Sequence, residues 1–216
     1  MEPDSGPTLE TPTVPEDRPH GPFDIGEVGD ASGLLDLGGI RVRGVKGMEL
    51  RVEVAQQRVV AATAVIGAGA LQIQPVAAPR TAGLWDEIRA EILSSVVSAG
   101  GTAEEVDGPF GIEVRAEALA TVEGRPRRQR VRFVGVDGPR WLLRGVFTGG
   151  AVDDPVVAAP LEQVFRSVVV VRGDAPMPPR ELIELRLPAS EPAAGPASST
   201  TEANPFHRGP EITETR

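Results

Sequence analysis

Five arginines within eight residues, Arg125, Arg127, Arg128, Arg130 and Arg132, form the densest group of chemistry-bearing side chains in the chain. A guanidinium presents a planar fork of donors that matches carboxylate and phosphate oxygens, so such a run is a candidate anion or nucleic-acid contact. Gly124 and Pro126 place its first part in a turn. On the strand that follows, Arg128, Arg130 and Arg132 share one face, while Gln129, Val131 and Phe133 share the other. The competing reading is a solvated strand face whose arginines pair across a hairpin with Glu113 and Glu117. Arg115 lies between those acids and weakens the pairing somewhat. The run has no interleaved aromatic residue, and a phosphate-backbone binder needs several contacts supported by net positive charge. The ion-paired face is therefore the preferred reading, with nucleic acid as the alternative.

A second group surrounds a helix start. Ala78-Pro79-Arg80-Thr81-Ala82-Gly83-Leu84-Trp85-Asp86-Glu87 places an arginine, a tryptophan and two acids near the first turn of a helix, where a ligand or partner can be held. Trp85 serves equally well as an anchor between helix and sheet. Arg140 and Trp141 pose the same choice at the start of a strand. Arg80, Trp85, Arg128, Arg130, Arg132, Arg140 and Trp141 are accordingly the candidate binding residues.

Carboxylate pairs are the one catalytic device the composition leaves open, since they need only a sheltered site. Glu104-Glu105-Asp107 and Asp153-Asp154 are the clusters, each at an expected helix end or turn where capping and solvation explain them. The segment from Ala31 to Pro188 contains no His, Cys, Tyr or Asn and a single Lys, Lys46; His20 and His207 fall outside it. Imidazole, thiol and transition-metal chemistry lean on those absent types. No catalytic residue, metal site or cofactor is assigned. Arg172-Gly173-Asp174 reads as a strand end and turn, and no P-loop or nucleophile-elbow pattern occurs.

The elements that must position these groups are mostly strands. Ile40–Arg43, Leu50–Val54, Arg58–Ile66 and Ala70–Val76 alternate or are rich in β-branched residues, with Gly67-Ala68-Gly69 turning the last two into a hairpin. Thr81 is a plausible cap for a helix over 83–99, in which Leu84, Ile88, Ile92 and Val96 recur every four residues and Gly100-Gly101 supplies the stop. Strands resume over 111–120, 129–136 and 141–147. Asp153-Asp154-Pro155 starts a second helix, which Pro160 is expected to split into two short pieces. The nearly all-apolar Ser167–Arg172 reads as a final, central strand, and Leu182–Leu187 as an extended exit. The order β-β-β-β-α-β-β-β-α-β implies an α+β fold, a mostly antiparallel sheet packed against two helices.

The ends differ from the middle. Residues 1–30 carry eight acids and one base, and residues 189–216 four acids and two bases, so the net charge of −9 leaves 31–188 neutral. Residues 1–22 and 189–216 are Pro-rich and poor in apolar residues and read as disordered tails around a single domain over 23–188. The start lacks the basic and apolar regions of a secretory signal, and no apolar run is long enough to span a bilayer, so the expected location is cytoplasmic.

Five blocks, LDLGGIRV, LQIQPVAAPRTAGLWDEIRAEI, GGTAEEVDGPFGIEVRA, VRFVGVDGPRWLLRGVFTG and PLEQVFRSVVVVRGDAPMPPRE, resemble the actinobacterial family of uncharacterised proteins catalogued as domain of unknown function 3710. The family has no established activity, so the resemblance transfers no catalytic residue. The element order is also similar to the Mog1/PsbP-like fold, whose members are mostly binding or assembly modules; fold alone does not carry function. The expected function is a non-catalytic cytoplasmic binding or scaffold module that recognises a protein partner or self-associates. The alternatives are a nucleic-acid accessory protein using Arg125–Arg132 and a carboxylate-based hydrolase.

Overall fold

Alternating apolar and polar residues dictate strands with two distinguishable faces, and in this chain both faces of the central strands find a partner. The computed structural model describes residues 18–55, 57–80, 83–122 and 125–187. In chain order the elements are β1 (Phe23–Asp24), β2 (Leu35–Asp36), β3 (Ile40–Val42), β4 (Glu49–Ala55), β5 (Arg58–Ile66), β6 (Gly69–Ala77), α1 (Trp85–Ser98), β7 (Thr102–Gly108), β8 (Gly111–Val122), β9 (Arg125–Gly138), β10 (Trp141–Gly149), α2 (Pro155–Arg166) and β11 (Val169–Val170). The fold is α+β, as expected. A seven-stranded antiparallel sheet runs β4-β5-β6-β10-β9-β8-β7, and a small four-stranded sheet runs β1-β11-β3-β2.

β10 shows how one strand builds two cores. Trp141, Leu143 and Phe147 join Leu71, Ile73, Val134 and the α2 residues Leu161, Val164 and Phe165 in the larger core. Leu142, one residue out of phase, faces the opposite side with Val76, Leu84 and Trp85. α1 and α2 therefore cover opposite faces of the large sheet, with the small sheet on the α2 side.

The two helices are held differently. α2 buries Ala158, Leu161, Val164 and Phe165, whereas α1 buries only Trp85. At roughly 1.5–3 kcal/mol for each large apolar side chain fully buried, α2 is the more firmly packed. Ile88, Ile92 and Val96 of the α1 stripe are only half-buried. α1 lies over β7, β8 and β9 and leaves part of β6 and β10 uncovered on its side.

Several details depart from the sequence expectation. α1 starts at Trp85, and Leu84 at its N-cap makes no side-chain cap; Thr81 lies outside the described residues. The cap comes from across the fold, where the Asp137 carboxylate accepts from the N–H groups of Leu84 (2.7 Å) and Trp85 (3.1 Å). Gly83 allows that approach, because a Cβ there would lie 2.6 Å from an Asp137 oxygen. α2 is continuous through Pro160. The lost backbone hydrogen bond costs about 3 kcal/mol, which burial of four side chains offsets. Glu104, Glu105 and Asp107 lie on strand β7, not in a turn. Of the apolar run 167–172 only Val169 and Val170 form a strand, an interior one, between β1 and β3 in the small sheet rather than in the large one.

Candidate functional site

Trp85 and Trp141 are both buried, which removes them from any surface. Gly135 has no side chain, so the Trp85 ring lies directly on β9, where a Cβ would come within 2.2 Å of it; its indole N–H donates to the Ile112 carbonyl at 2.8 Å. The Trp141 indole N–H donates to Asp24 at 2.8 Å, and the Arg18 guanidinium stacks 5.1 Å from its ring centroid. Both tryptophans are anchors, so the partner-surface alternative is not realised at either. Arg80 is exposed, and Arg140 reaches Asp174 at 3.5 Å from a turn in which its own φ is 65°.

The β9 arginines share a face, as alternation requires, but are engaged differently. Arg128 pairs with Glu117 at 3.1 Å and Arg130 with Asp153 at 2.8 Å, both at the surface. Arg132 is buried. Its Nε and Nη2 donate to the two oxygens of buried Glu113 at 2.6 and 2.9 Å, and its Nη1 donates to Glu162 of α2 at 2.6 Å. The guanidinium also stacks on Phe147 at 4.7 Å. Burial opposes the charge, but the hydrogen bonds and charges of Glu113 and Glu162 outweigh it and hold the group above its ordinary value. This cluster ties β8, β9 and α2 together. The side chains of Arg125 and Arg127 lie outside the described residues.

The carboxylate clusters are solvated or paired. Asp154 caps α2 by accepting from the Val156 N–H at 2.8 Å, and Glu105 pairs with Arg89 at 2.6 Å. Among the described residues no three His, Cys, Asp or Glu side chains come together as a metal-binding group.

Arg144 is different from every arginine above. It occupies β10 between Leu142 and Val146, on the α1 face, opposite Gln74 of β6 and Gly135 of β9. Its Nε is sealed from solvent without a hydrogen-bond partner, and no acid among the described residues pairs with it. Burial alone pulls its guanidinium below the ordinary arginine value. It lies on the floor of a groove of about 530 Å³ between α1 and the segment 180–182. Ile88, Ile92 and Val96 form one bank, Leu182 the other, and Val76 and Phe133 line the floor beside Gln74 and Arg144.

The rim is closed electrostatically. Arg180, held at φ 70°, donates to Glu91 at 2.7 Å and Glu87 at 2.8 Å on successive turns of α1. Arg180 is thereby satisfied, and Arg144 is not. A second cleft of about 380 Å³, over β7–β9 on the α2 side, is lined by Glu104, Glu117, Arg115, Arg130 and Asp153, charges of both signs that neutralise one another.

Arg144 was legible in principle. In the run WLLRGVF it is a lone charge between two aliphatic residues on one face of an otherwise apolar strand. Glu113 and Glu117 are the cross-hairpin partners expected from the sequence, and they pair with Arg132 and Arg128. Glu162 gave no such sign, because its arrival at Arg132 depends on how α2 packs on the sheet.

The family model described as Protein of unknown function (DUF3710) matches residues 21–193. No curated protein matches the chain. Among solved structures, the chain is similar to the solution structure of cyanobacterial PsbP (CyanoP) from Synechocystis sp. PCC 6803. The identity is 13% and the TM-score 0.35, over 66% of this chain and 97% of that one.

Proposed function

The chain belongs to the DUF3710 family of proteins of unknown function, and from the geometry of its groove we propose that it is a non-catalytic binding module. The observation that carries this reading is Arg144, a half-buried cation whose Nε is sealed without a partner and which no acid pairs among the described residues, on the floor of a mostly apolar groove. Holding a guanidinium partly out of water without a counter-charge is unfavourable. A site that pre-positions its cation in this way gives that energy back when an anion arrives. The half-buried α1 stripe supports the same reading, because its free edge supplies apolar contact for whatever the charge recruits.

The reading places recognition in the groove, away from the tryptophans and the β9 arginines. A cytoplasmic location remains part of the proposal; among the described residues no helix is long and apolar enough to cross a membrane. The nucleic-acid reading has less support, since Arg128 and Arg130 are already ion-paired and Arg132 is enclosed. The carboxylate-hydrolase reading has less as well, since Glu113 and Glu162 are both committed to Arg132.

The test is site-specific photocrosslinking in the native host, with a photoreactive side chain in place of Ser95 on the groove bank or of exposed Val156 on α2 as control. Adducts are expected at 95, absent at 156, and lost when Arg144→Met is added. Equal labelling at both positions would remove the groove as a binding site.

A further inference from the structure

The charge inventory of the groove restricts what it can hold. Arg144 and Arg180 are its cations and Glu91 its acid. Arg180 is occupied by Glu91 and Glu87, so one positive charge is left for a ligand. A dianionic phosphate would find that single partner and would meet the Glu91 carboxylate at the rim. A group carrying one negative charge, with two oxygens spaced for a guanidinium fork, matches what is left.

The remaining surface is apolar and bordered by few polar groups. Ile88, Ile92 and Val96 face Val76, Phe133 and Leu182 across the groove. One N–H of the Gln74 side-chain amide donates to the Val60 carbonyl at 3.2 Å. The volume of about 530 Å³ falls within the roughly 300–1,000 Å³ of small-molecule sites. Stacking on Phe133 alone would not hold a nucleobase, which also needs hydrogen-bond partners for its edge.

We propose that the groove between α1 and strands β6 and β10 binds a small amphipathic carboxylate, its headgroup on the Arg144 guanidinium and its hydrocarbon body against Ile88, Ile92, Phe133 and Leu182. The proposal rests on the binding-module reading and gives it a ligand class. Removing the head from water is offset by a charge-assisted pair in a sheltered site, and the body contributes roughly 25 cal/mol for each Å² of apolar surface it covers.

The experiment uses the full chain and three probes, decanoate, decan-1-ol and inorganic phosphate, followed by isothermal calorimetry and amide chemical shifts. Decanoate should bind saturably, with shift changes confined to α1, β6, β10 and the segment 180–182. Its affinity should fall roughly tenfold or more in Arg144→Gln, the loss expected for one charge-assisted interaction. Decan-1-ol should bind at least about tenfold more weakly than decanoate for the same reason. Phosphate should give no saturable signal. Ser95→Trp, at an exposed position on the bank, should block decanoate while leaving the fold intact, and it keeps the test valid if Arg144→Gln destabilises the protein.

Equal binding of decanoate and decan-1-ol, unchanged in Arg144→Gln, would reduce the site to an apolar crevice and overturn the proposal. Phosphate binding as tight as decanoate would overturn it in favour of a bare anion site. If decanoate fails while the photoreactive residue at position 95 still gives Arg144-dependent adducts, the carboxylate class is wrong and the binding module stands. If both fail, both readings fall.

Discussion

Arg132 and Arg144 sit on neighbouring strands and face opposite sides of the same sheet, and the difference between them is a difference of partners. Arg132 is enclosed by two carboxylates and an aromatic ring. Removing it leaves Glu113 buried and uncompensated, so Arg132→Gln should destabilise the protein by about 3–5 kcal/mol in urea unfolding. Arg144 is half-buried, and no acid among the described residues compensates it. Its folded-state value is lowered, so its cost persists at every pH below that value and is relieved only as pH climbs through it, far into the alkaline range. Substitution is the practical way to relieve it. Arg144→Met, which keeps the length and drops the charge, should raise stability by about 1–2 kcal/mol in the same measurement while binding is lost. A destabilised Arg144→Met protein would mean that the charge has a structural partner.

At the scale of elements, α1 and α2 show what periodicity can and cannot reveal. The stripe Leu84, Ile88, Ile92, Val96 marks a helix, and one is present over Trp85–Ser98. The same stripe does not reveal that cover runs out after the first turn, because that depends on where the helix lies across the sheet. Its cap was likewise invisible, since Asp137 is more than fifty positions along the chain from Leu84 and Trp85. Asp137→Ala should cost about 1–2 kcal/mol of stability and lower the helical circular-dichroism signal, because it removes the acceptor for two orphan N–H groups and a negative charge at the helix start. β7 was missed because Glu104 and Glu105 are adjacent and break the alternation, and β11 was overestimated because an apolar run does not say how much of itself will pair.

At the scale of the molecule, the α+β class and the order of the long strands were readable, since each long strand alternates and each hairpin carries turn residues. Which strands would neighbour one another was not, since the β6–β10 pairing at the sheet centre joins segments separated by a helix and three strands. Arg18 is buried, pairs with Glu27 at 2.7 Å and stacks on Trp141, so packed structure begins before residue 23. A chain starting at 23 should lose about 2 kcal/mol or more relative to one starting at 18, through the stacked cation and the ion pair. Thermal unfolding of the two truncations side by side measures it, and equal midpoints would show that the segment merely rests on the domain.

Among the described residues β4 and β7 are the outermost strands of the large sheet, each paired along one edge, and an edge of that kind is the usual starting point for aggregation. Glu104, Glu105 and Asp107 project from β7, and two copies meeting edge to edge there would bring acid against acid. The acidic cluster would in that case have a role unrelated to chemistry, opposing edge-to-edge extension of the sheet. Glu104→Thr with Asp107→Thr, which spares the Glu105–Arg89 pair, should turn a concentration-independent sedimentation profile into a concentration-dependent one.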